Sequence, residues 1–440
     1  MHNARPDPGR PDSVPCSVAR PSLPRGALRH PDFRRFIVGQ FTSLVGTWIQ
    51  QVALGWLVFE LTNSAFKVGI AAAAGTLPIL LLTLYGGGIA DRVNKRRALI
   101  LLQSLMAVEA AVLAGLALTG HVTFLWIVVL ALANGVFSAF EIPIRQSFLL
   151  DLVGREDLMS AIAFNSMAFS VSRVLGPAIA GTLVALFGAG VGFLINAVSY
   201  GAVIVGLARI RSQDEGGRPT RRPATLAEVH RYVRAHGWPR TFLAQALVTT
   251  IFAWSITAML PVLAREGLGT GASGYGGLMS AFGVGAAIGA TLLAAVGHRV
   301  RRGELAVGGG MAIGAVHLLI GASGSYPLTF GLLLLSGTVG AAAGITTNTL
   351  LQVDAPDHLR GRVIGVYAMI VVGMAPVGSL LMGWVADRAS VGWAIAGGGG
   401  ITLLAAALLW RGRPREAVTA SVSIEEHEKP VGVPVTSEER

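Results

Sequence analysis

The sequence predicts an all-α membrane protein with twelve transmembrane helices in two pseudo-symmetric six-helix bundles. Apolar residues make up 52% of the 440-residue chain and charged residues only 13%, with a mean hydropathy of +0.61. Soluble domains are about a quarter charged, so this composition excludes a water-soluble surface. Long apolar runs separated by charged or turn residues, and short sequence matches between the two halves, favour a duplicated bundle.

The two ends of the chain are polar. Residues 1–33 are rich in Pro and Arg and lack an apolar core, which predicts a disordered cytoplasmic tail and not a cleaved signal peptide. Residues 412–440 are similarly polar, and we predict a second disordered cytoplasmic tail there. Cys16 is the only cysteine, so no internal disulfide can form.

Between these tails lie twelve apolar runs, which we number spans 1 to 12. A transmembrane helix needs roughly 20 apolar residues, and each run is too long for a barrel strand. Helix is also favoured because backbone exposed to lipid must satisfy its hydrogen bonds within the segment. The predicted spans are 36–60, 67–90, 98–119, 122–142, 158–184, 189–209, 240–264, 272–297, 304–322, 326–349, 359–386 and 391–410.

A long linker, residues 210–239, divides the spans into an N-terminal bundle, 34–209, and a C-terminal bundle, 240–411. The first part of the linker is polar. The second part begins at Leu226 and is amphipathic, which predicts a helix on the membrane surface.

The two bundles are related in sequence. Residues 149–158 match residues 350–359 at a constant offset of 201, and each segment opens the next span. Those next spans both contain a proline after small residues, Pro177 in span 5 and Pro376 in span 11. Duplication of a unit with six spans gives two copies of the same topology, related by an axis along the membrane normal.

The positions of the basic residues predict the orientation. Thirty-one of the 35 Lys and Arg residues lie in the tails and in the loops on the side of the N-terminus, and only Lys67, Arg265 and Arg388 lie in the opposite loops. By the positive-inside rule both termini are cytoplasmic. We therefore expect a multi-pass protein of the cell (inner) membrane. The net charge of +11 follows from this topology, so nucleic acid is not an expected partner.

The strongest local motif joins spans 2 and 3. The run from Gly87 to Arg97 reads Gly-Gly-Ile-Ala-Asp-Arg-Val-Asn-Lys-Arg-Arg. It resembles the G-x-L-A-D-R-x-G-R-K signature of the major facilitator superfamily, with Asn94 in place of a glycine. The resemblance implies two six-helix halves around a central cavity.

The same resemblance implies that Gly87, Asp91, Arg92 and Arg96 take part in conformational gating. Asp91 would contact the N-terminus of span 11, and the nearby arginines would pair with acids on span 4. A basic anchor that ends a helix is the alternative. A second Gly-x-x-x-Asp-Arg pattern at 383–388 lies on the predicted outer side without a basic cluster, and we interpret it as a helix end only.

Glu141 and Arg145 lie four residues apart near the inner end of span 4, on one helix face. The surrounding sequence resembles the end of that helix in the superfamily, which implies a gating role. A solvated ion pair of about 0.3 kcal/mol is an equal alternative.

Span 5 carries Arg173, Gly176 and Pro177 in an Arg-x-x-Gly-Pro arrangement. It is similar to the Gly-Pro motif of proton-coupled exporters in this superfamily, although two of the motif's glycines are missing, and it implies export. Arg173 lies deep in its span, where a charge costs roughly 2.5–3.5 kcal/mol unless it is paired or hydrated. Pairing with Glu60 and a direct functional use are equal alternatives.

Glu109, near the middle of span 3, and Glu60 are the candidates for proton coupling, because ionisable groups within a membrane are functional by default. A neutral, packed Glu109 is the alternative. In the superfamily the cavity is lined mainly by spans 1, 4, 7 and 10. Polar or aromatic residues at mid-depth on these spans are Trp48, Gln50, Gln51, Asn134, Gln245, Trp254, Thr347 and Asn348. They predict a mostly apolar pocket for an amphipathic solute, although each could instead form a helix–helix hydrogen bond.

The sequence lacks the motifs of a membrane enzyme. Lys67, Lys95 and Lys429 are followed by Val, Arg and Pro, so none ends a phosphate-binding loop. The zinc-protease and serine-hydrolase motifs are also missing. We expect no enzymatic activity, no catalytic residue, no metal and no cofactor.

Within the superfamily, residues 59–65 after span 1 and 359–363 at the start of span 11 resemble the enterobactin-exporter-like branch, the transmembrane secretion effectors. This resemblance implies a secondary transporter that exports a small amphipathic molecule, such as a siderophore, drug or secondary metabolite, by proton antiport with alternating access. We expect a monomer whose partners are this substrate, protons and the lipid bilayer. An importer or uniporter of the same fold, and a non-transporting membrane assembly or sensor protein, remain alternatives.

Overall fold

The computed structural model describes residues 26–90, 92–210, 226–235, 237–297, 300–353 and 355–411. The tail residues 1–25 and 412–440, the polar part of the linker and Asp91 therefore lie outside the described residues. The described helices are Pro31–Thr62 (span 1), Ala65–Ala90 (span 2), Lys95–Leu118 (span 3), Phe124–Phe187 (spans 4 and 5), Ala189–Ala208 (span 6), Leu226–Ala235 (linker), Gly237–Val248, Thr249–Trp254, Ile256–Val262 and Leu263–Gly267 (span 7), Ala272–Val296 (span 8), Arg302–Ala322 (span 9), Tyr326–Val353 (span 10), Asp357–Gly373 and Ala375–Arg388 (span 11) and Val391–Arg411 (span 12).

Eleven helical segments of the described chain are long and apolar enough to cross a membrane, and one of them supplies two spans. Phe124–Phe187 has 64 residues, which as a straight helix would measure about 96 Å, three times the hydrocarbon core. Its backbone is not helical at Gly154, where φ is 70°, a value that glycine adopts without a steric penalty. Arg145 and Asn165 lie on opposite sides of Gly154 in the sequence, yet Arg145 Nη1 is only 3.4 Å from Asn165 Oδ1. The chain therefore reverses at Gly154. The predicted total of twelve spans is thereby confirmed.

The same helix pairing recurs in the two halves. Span 2 contacts span 4, span 3 contacts span 6 and span 3 contacts span 4 in the N-terminal half. The equivalent pairs in the C-terminal half, spans 8 and 10, 9 and 12, and 9 and 10, are also in contact. Between the halves, span 2 packs against span 11 and span 5 against span 8. These two interfaces are exchanged by the repeat, so the fold is the predicted pair of pseudo-symmetric bundles.

The first span begins earlier than predicted. Its helix starts at Pro31, in the first-turn position that proline favours, and a 3-10 turn, Ala27–Arg29, precedes it. Ala27 and Phe33 are fully buried, and the Ala27 N–H donates to Ser160 Oγ at 3.2 Å. Residues 27–33 are therefore not part of a disordered tail. The prediction was based on apolar residues alone and missed these tertiary contacts.

The amphipathic part of the linker forms the helix Leu226–Ala235. Tyr232 on this helix is only 9% exposed and packs edge-on against Trp238, at 6.3 Å between ring centroids. Its cluster includes Leu351 and Leu359 of the C-terminal half. The helix thus packs on protein and does not simply lie on the membrane surface.

Spans 7 and 11 are both discontinuous. Span 7 contains two π-helical segments, Thr249–Trp254 and Leu263–Gly267, and such segments are frequent at functional sites. Span 11 is interrupted at Met374, two residues before Pro376, where proline removes a backbone donor. Both spans reach the N-terminal half: Trp254 and Arg265 of span 7 contact Arg173 and Trp56, and span 11 packs against span 2.

Candidate functional site

We call the end of the bundle that holds Pro31 and Arg411 the inner end, and the end that holds Thr62 and Ala65 the outer end. Among the described residues, every hydrogen bond between the halves that we identify lies outward of, or close to, mid-depth. Ala65 N–H and Ser64 Oγ donate to the Asp387 carboxylate, each at 2.6 Å. The other contacts of this set are Ser280 Oγ with the Val174 carbonyl at 3.1 Å and Ser379 Oγ with the Gly69 carbonyl at 3.3 Å.

Small residues permit this close approach. A side chain at Gly181 of span 5 would place its Cβ 2.9 Å from the Cα of Gly276 on span 8. Gly276 itself lies against the Pro177 carbonyl, whereas Gly176 packs on Trp48 of its own half. The Gly-Pro segment of span 5 therefore contacts both halves.

Two cavities lie between the halves. The inner cavity has a volume of about 330 Å³ and is bounded by spans 5, 7, 8, 10 and 11. The outer cavity has a volume of about 270 Å³ and is bounded by spans 1, 2, 7, 8 and 11. Trp254, at the end of a π-helical segment, lines both. Most inner-cavity residues are small and apolar, and the polar or aromatic ones are Phe169, Ser170, Arg173, Trp254, Asn348 and Tyr367.

Arg173 faces the inner cavity. Its guanidinium carbon lies 5.0 Å from the centroid of the Phe282 ring and 5.4 Å from that of Trp254. Among the described residues no carboxylate pairs with it, so the proposed pairing with Glu60 is wrong. Glu60 is exposed at the outer end of span 1. The Arg173 charge is therefore stabilised by cation–π contacts with these two rings and not by an ion pair.

Glu109 belongs to a buried polar network inside the N-terminal half. It is 5% exposed, and its Oε2 accepts from Asn134 Nδ2 at 3.1 Å and from Gln50 Nε2 at 3.5 Å. Gln50 Oε1 in turn accepts from Asn196 Nδ2 at 2.7 Å, and Ser199 Oγ donates to Asn196 Oδ1 at 3.1 Å. The network joins spans 1, 3, 4 and 6 around one carboxyl group.

The candidate cavity residues divide into three groups. Gln51, Trp254 and Asn348 line a cavity. Gln50 and Asn134 bind Glu109 instead, so span 4, contrary to expectation, contributes no residue to the two cavities described above. Gln245, Thr347 and Trp48 are packing residues: Gln245 is buried and bonds to Thr249, Thr347 is buried on span 10, and Trp48 contacts Phe169 edge-on at 5.8 Å.

The gating candidates at the inner end form contacts within the N-terminal half. Asp91 lies outside the described residues, as does the environment of Gly87, and Arg92 is exposed. Arg96 donates to the carbonyls of Leu207 and Ala208, each at 2.7 Å. The expected pairing of the arginines with acids on span 4 is therefore wrong for Arg96. The basic residue that pairs with an acid on the helix of span 4 is Lys95, whose ammonium lies 2.8 Å from Asp151.

Glu141 and Arg145 form an ion pair of 2.8 Å, with side chains only 8% and 15% exposed. Gln103 Nε2 lies 3.4 Å from the same Glu141 oxygen. The pair is largely buried and Glu141 also accepts from Gln103 of span 3, so it is not the solvated pair considered above.

Three residues with contacts at the candidate site were missed from the sequence. Asp387 was interpreted as a helix end, yet it binds the first turn of span 2 in the other half. Its segment Gly383-Trp-Val-Ala-Asp-Arg shares Gly-x-x-Ala-Asp-Arg with the run that starts at Gly87, and this match was the available signal. Phe282 and Asn196 gave only weak signals, as a single aromatic and a single amide in apolar spans.

The comparisons with known proteins agree with this architecture. Residues 24–439 match the model of the family described as transmembrane secretion effector. The chain is 28% identical over 354 residues to the staphyloferrin A transporter of Staphylococcus aureus (strain NCTC 8325 / PS 47), which covers 80% of this chain and 89% of that protein. It is 27% identical to the multidrug efflux pump Tap of Mycolicibacterium fortuitum, over 80% of this chain and 88% of that one. It is also 27% identical to the enterobactin exporter EntS of Shigella flexneri, over 86% and 91% of the two chains.

Solved structures share the fold. A bacterial homologue of the human lysosomal transporter Spinster, in an inward-facing and occupied conformation, superposes with a TM-score of 0.70 at 13% identity, over 89% of this chain and 98% of that one. A D-xylose–proton symporter gives a TM-score of 0.68 at 14% identity, over 88% and 98%. The family and these relatives are transporters, not enzymes. The chain is a multi-pass membrane protein that belongs to the transmembrane secretion effector family of the major facilitator superfamily.

Proposed function

We propose that this protein exports a small amphipathic organic molecule from the cytoplasm by proton antiport with alternating access. The observation that carries the proposal is the inner cavity of about 330 Å³, because it lies between the halves, is mostly apolar and holds a few polar groups. Such a composition suits a drug-sized amphipathic ligand. The names of the relatives, a staphyloferrin A transporter, an enterobactin exporter and a multidrug efflux pump, support the same substrate class.

The distribution of contacts between the halves supports alternating access. Asp387, Gly181 and Ser379 hold the halves together toward the outer end. In the proposed orientation both termini are cytoplasmic in the cell membrane, so the inner cavity would receive its substrate from the cytoplasm. Rocking of the two halves would then open the outer interface. The protein would work as a monomer, since one chain contains both halves and the cavity between them.

Asp91 would take the complementary role at the inner end. Spans 2 and 11 run antiparallel in contact with each other, and both end in Gly-x-x-Ala-Asp-Arg. Asp387 at the end of span 11 binds the start of span 2. By the repeat, Asp91 at the end of span 2 would bind the start of span 11 when the inner end closes. Each carboxylate would be stabilised by the helix N-terminus it meets.

Glu109 is the proposed proton carrier. Both of its donors reach Oε2, and among the described residues no cation pairs with its carboxylate. An ionised carboxylate without a cationic partner in a membrane interior is costly, so proton uptake is favoured there. Binding of the proton must differ in free energy between the two conformations to drive antiport.

The export proposal is tested with everted membrane vesicles that contain the protein. Enterobactin and staphyloferrin A are added outside, and a pH gradient with an acidic interior is imposed. We expect one of them to accumulate inside only while the gradient lasts, with no accumulation in vesicles lacking the protein. Accumulation that ignores the gradient would remove antiport, and concentration in the opposite direction would identify an importer. A gene deletion that leaves metabolite secretion and drug tolerance unchanged would favour a non-transporting role.

The role of Glu109 is tested with Glu109→Gln. Glutamine keeps the shape of the side chain and an oxygen that accepts hydrogen bonds, but its amide does not take up a proton near neutral pH. We expect loss of gradient-driven accumulation with substrate binding retained. Glu60→Gln tests the second candidate, and because Glu60 is exposed at the outer end of span 1 we expect this variant to transport normally. If Glu109→Gln transports normally and Glu60→Gln does not, the proton is carried at Glu60.

A further inference from the structure

Arg173 is a cation in the interior of the bundle without an anionic partner. It lies 14 residues before the end of span 5 at Phe187. Among the described residues it forms no ion pair, and its guanidinium is not a donor in any hydrogen bond that we identify. An unpaired charge at such depth costs roughly 2.5–3.5 kcal/mol on insertion scales, and in membrane proteins such groups face cavities and mark substrate pathways. Protein packing alone gives no reason for a cation there.

The surroundings of Arg173 hold the guanidinium at the wall of the inner cavity. The ring centroids of Phe282 and Trp254 lie 5.0 and 5.4 Å from the guanidinium carbon. Trp254 and Phe282 are themselves packed edge-on at 5.6 Å, which fixes both rings. The aromatic faces partly compensate the charge but supply no acceptor for its N–H groups. Those donors are therefore available to a molecule in the cavity.

A second polar group faces the same cavity. Asn348 on span 10 lines it, and its Oδ1 is buried without a hydrogen-bond partner. A buried acceptor without a donor carries a desolvation penalty, which a ligand hydroxyl or N–H would relieve. The rest of the wall includes Ala286, Ala287, Gly340 and Ile345. The cavity wall thus combines a cation, an amide whose buried oxygen has no partner among the described residues, and an apolar surface.

We propose that the inner cavity binds an amphipathic organic anion, with its acidic group on Arg173 and a hydroxyl or N–H donor on Asn348. The assignment rests on the proposed export function and narrows its substrate class. Arginine binds a carboxylate through two parallel hydrogen bonds. A cavity of about 330 Å³ with mostly apolar walls is larger than an inorganic anion needs, so the ligand has an organic body.

Binding of a matched pair of probes to the purified full-length protein tests the charge preference. The probes are 6-hydroxy-2-naphthoate and its neutral carboxamide, 6-hydroxy-2-naphthamide, which differ only in the acidic group. We expect the anion to bind at least about tenfold more tightly, the ratio that a charged hydrogen-bond pair typically gives. Arg173→Gln should abolish this ratio, and Arg173→Lys should retain part of it.

Arg265→Gln is the matched control. Its guanidinium also lies over two rings, at 5.9 Å from Trp56 and from Phe59, but it is exposed and lines neither cavity. The anion preference should survive in this variant. Equal affinity of the wild-type protein for both probes, or an unchanged ratio in Arg173→Gln, would overturn the assignment.

The contribution of Asn348 is measured with 2-naphthoate, which lacks the hydroxyl. The wild-type protein should bind 6-hydroxy-2-naphthoate more tightly than 2-naphthoate, and Asn348→Ala should bind the two alike. A hydroxyl preference that persists in Asn348→Ala would remove this residue from the site.

Equilibrium binding needs no transport, so the two proposals can fail separately. Anion preference in solution combined with no accumulation in vesicles would remove export and leave the site at Arg173. Gradient-driven accumulation of the anion and the carboxamide at equal rates would leave export and remove the anion preference.

Discussion

Asp387 binds the first turn of span 2 through the backbone of Ala65: the Ala65 N–H donates to Asp387 Oδ1 at 2.6 Å. Ser64 Oγ donates to the other carboxylate oxygen, also at 2.6 Å, and accepts from the Lys67 N–H at 3.2 Å. Ser64 therefore caps span 2, and Asp387 adds a negative charge at the positive end of that helix. The two spans belong to different halves, so in the proposed alternating-access cycle this contact would break when the outer end opens.

Replacing Asp387 with Ala should shift the protein toward the conformation that is open at the outer end. Hydrogen bonds to a charged group contribute about 1.5–3 kcal/mol, which corresponds to roughly a tenfold or larger change in a two-state equilibrium. Spin labels at Leu61 and Ala389, which are both exposed at the outer end, would report longer distances by double electron–electron resonance. The native Cys16 is first replaced by Ser so that only these positions are labelled.

Asp32→Asn is the control for that measurement. Asp32 forms an ion pair of 2.8 Å with Arg35 on its own helix at the inner end, so its loss should leave the distances unchanged. Identical distance distributions for wild-type protein and Asp387→Ala would mean that this contact does not hold the outer end closed.

Gln50 and Gln51 are adjacent in sequence, but only the replacement of Gln50 by Leu should lower the stability of the fold. Gln50 connects Glu109 to Asn196 in the buried network, so its loss leaves Asn196 without an acceptor. We expect Gln50→Leu to destabilise the fold by about 1 kcal/mol and to lower the midpoint of thermal unfolding. Gln51 is exposed at the outer cavity, and Gln51→Leu should preserve that midpoint. Equal midpoints for the two variants would contradict a structural role of the network.

Removing one charge of the Glu141–Arg145 pair should lower the stability of the fold more than removing both charges. Glu141→Gln leaves the Arg145 charge, only 15% exposed, without its 2.8 Å partner, and breaking a buried pair in this way costs about 3–5 kcal/mol. The double variant Glu141→Gln, Arg145→Gln removes both charges and should be more stable than the single one. Thermal unfolding of the purified variants measures the difference.

The exposed Asp32–Arg35 pair again gives the reference, since Asp32→Asn should change the unfolding free energy by no more than about 1 kcal/mol. A double variant at Glu141 and Arg145 that is less stable than Glu141→Gln would show that the two charges have separate roles.

Sequence patterns were sufficient for the membrane architecture. Apolar runs and their length gave the twelve spans, and the matches at a constant offset gave the duplication, because insertion in lipid depends on local hydrophobicity and needs no knowledge of distant contacts. The positions of Glu109 and Arg173 as charges inside spans were equally visible, since ionisable groups are rare there.

The partners of those charges could not be read from the sequence. Glu109 meets Gln50 and Asn134, and Arg173 meets Phe282 across 109 positions of the chain. Asp387 was predicted to be only a helix end, whereas its carboxylate accepts a hydrogen bond from the Ala65 N–H of the other half. Helix rotation and the packing between halves decide these contacts, and both depend on the shapes of many side chains together.

The amino-acid sequence by itself thus determined that the chain crosses the bilayer twelve times as two related units, because burial of apolar segments in lipid is a local property. Only the tertiary structure decided which polar groups face the cavities and which bind one another. Among them, Arg173 faces the inner cavity and Gln50 faces Glu109, because small residues such as Gly181 fix how closely, and in which rotation, the helices meet.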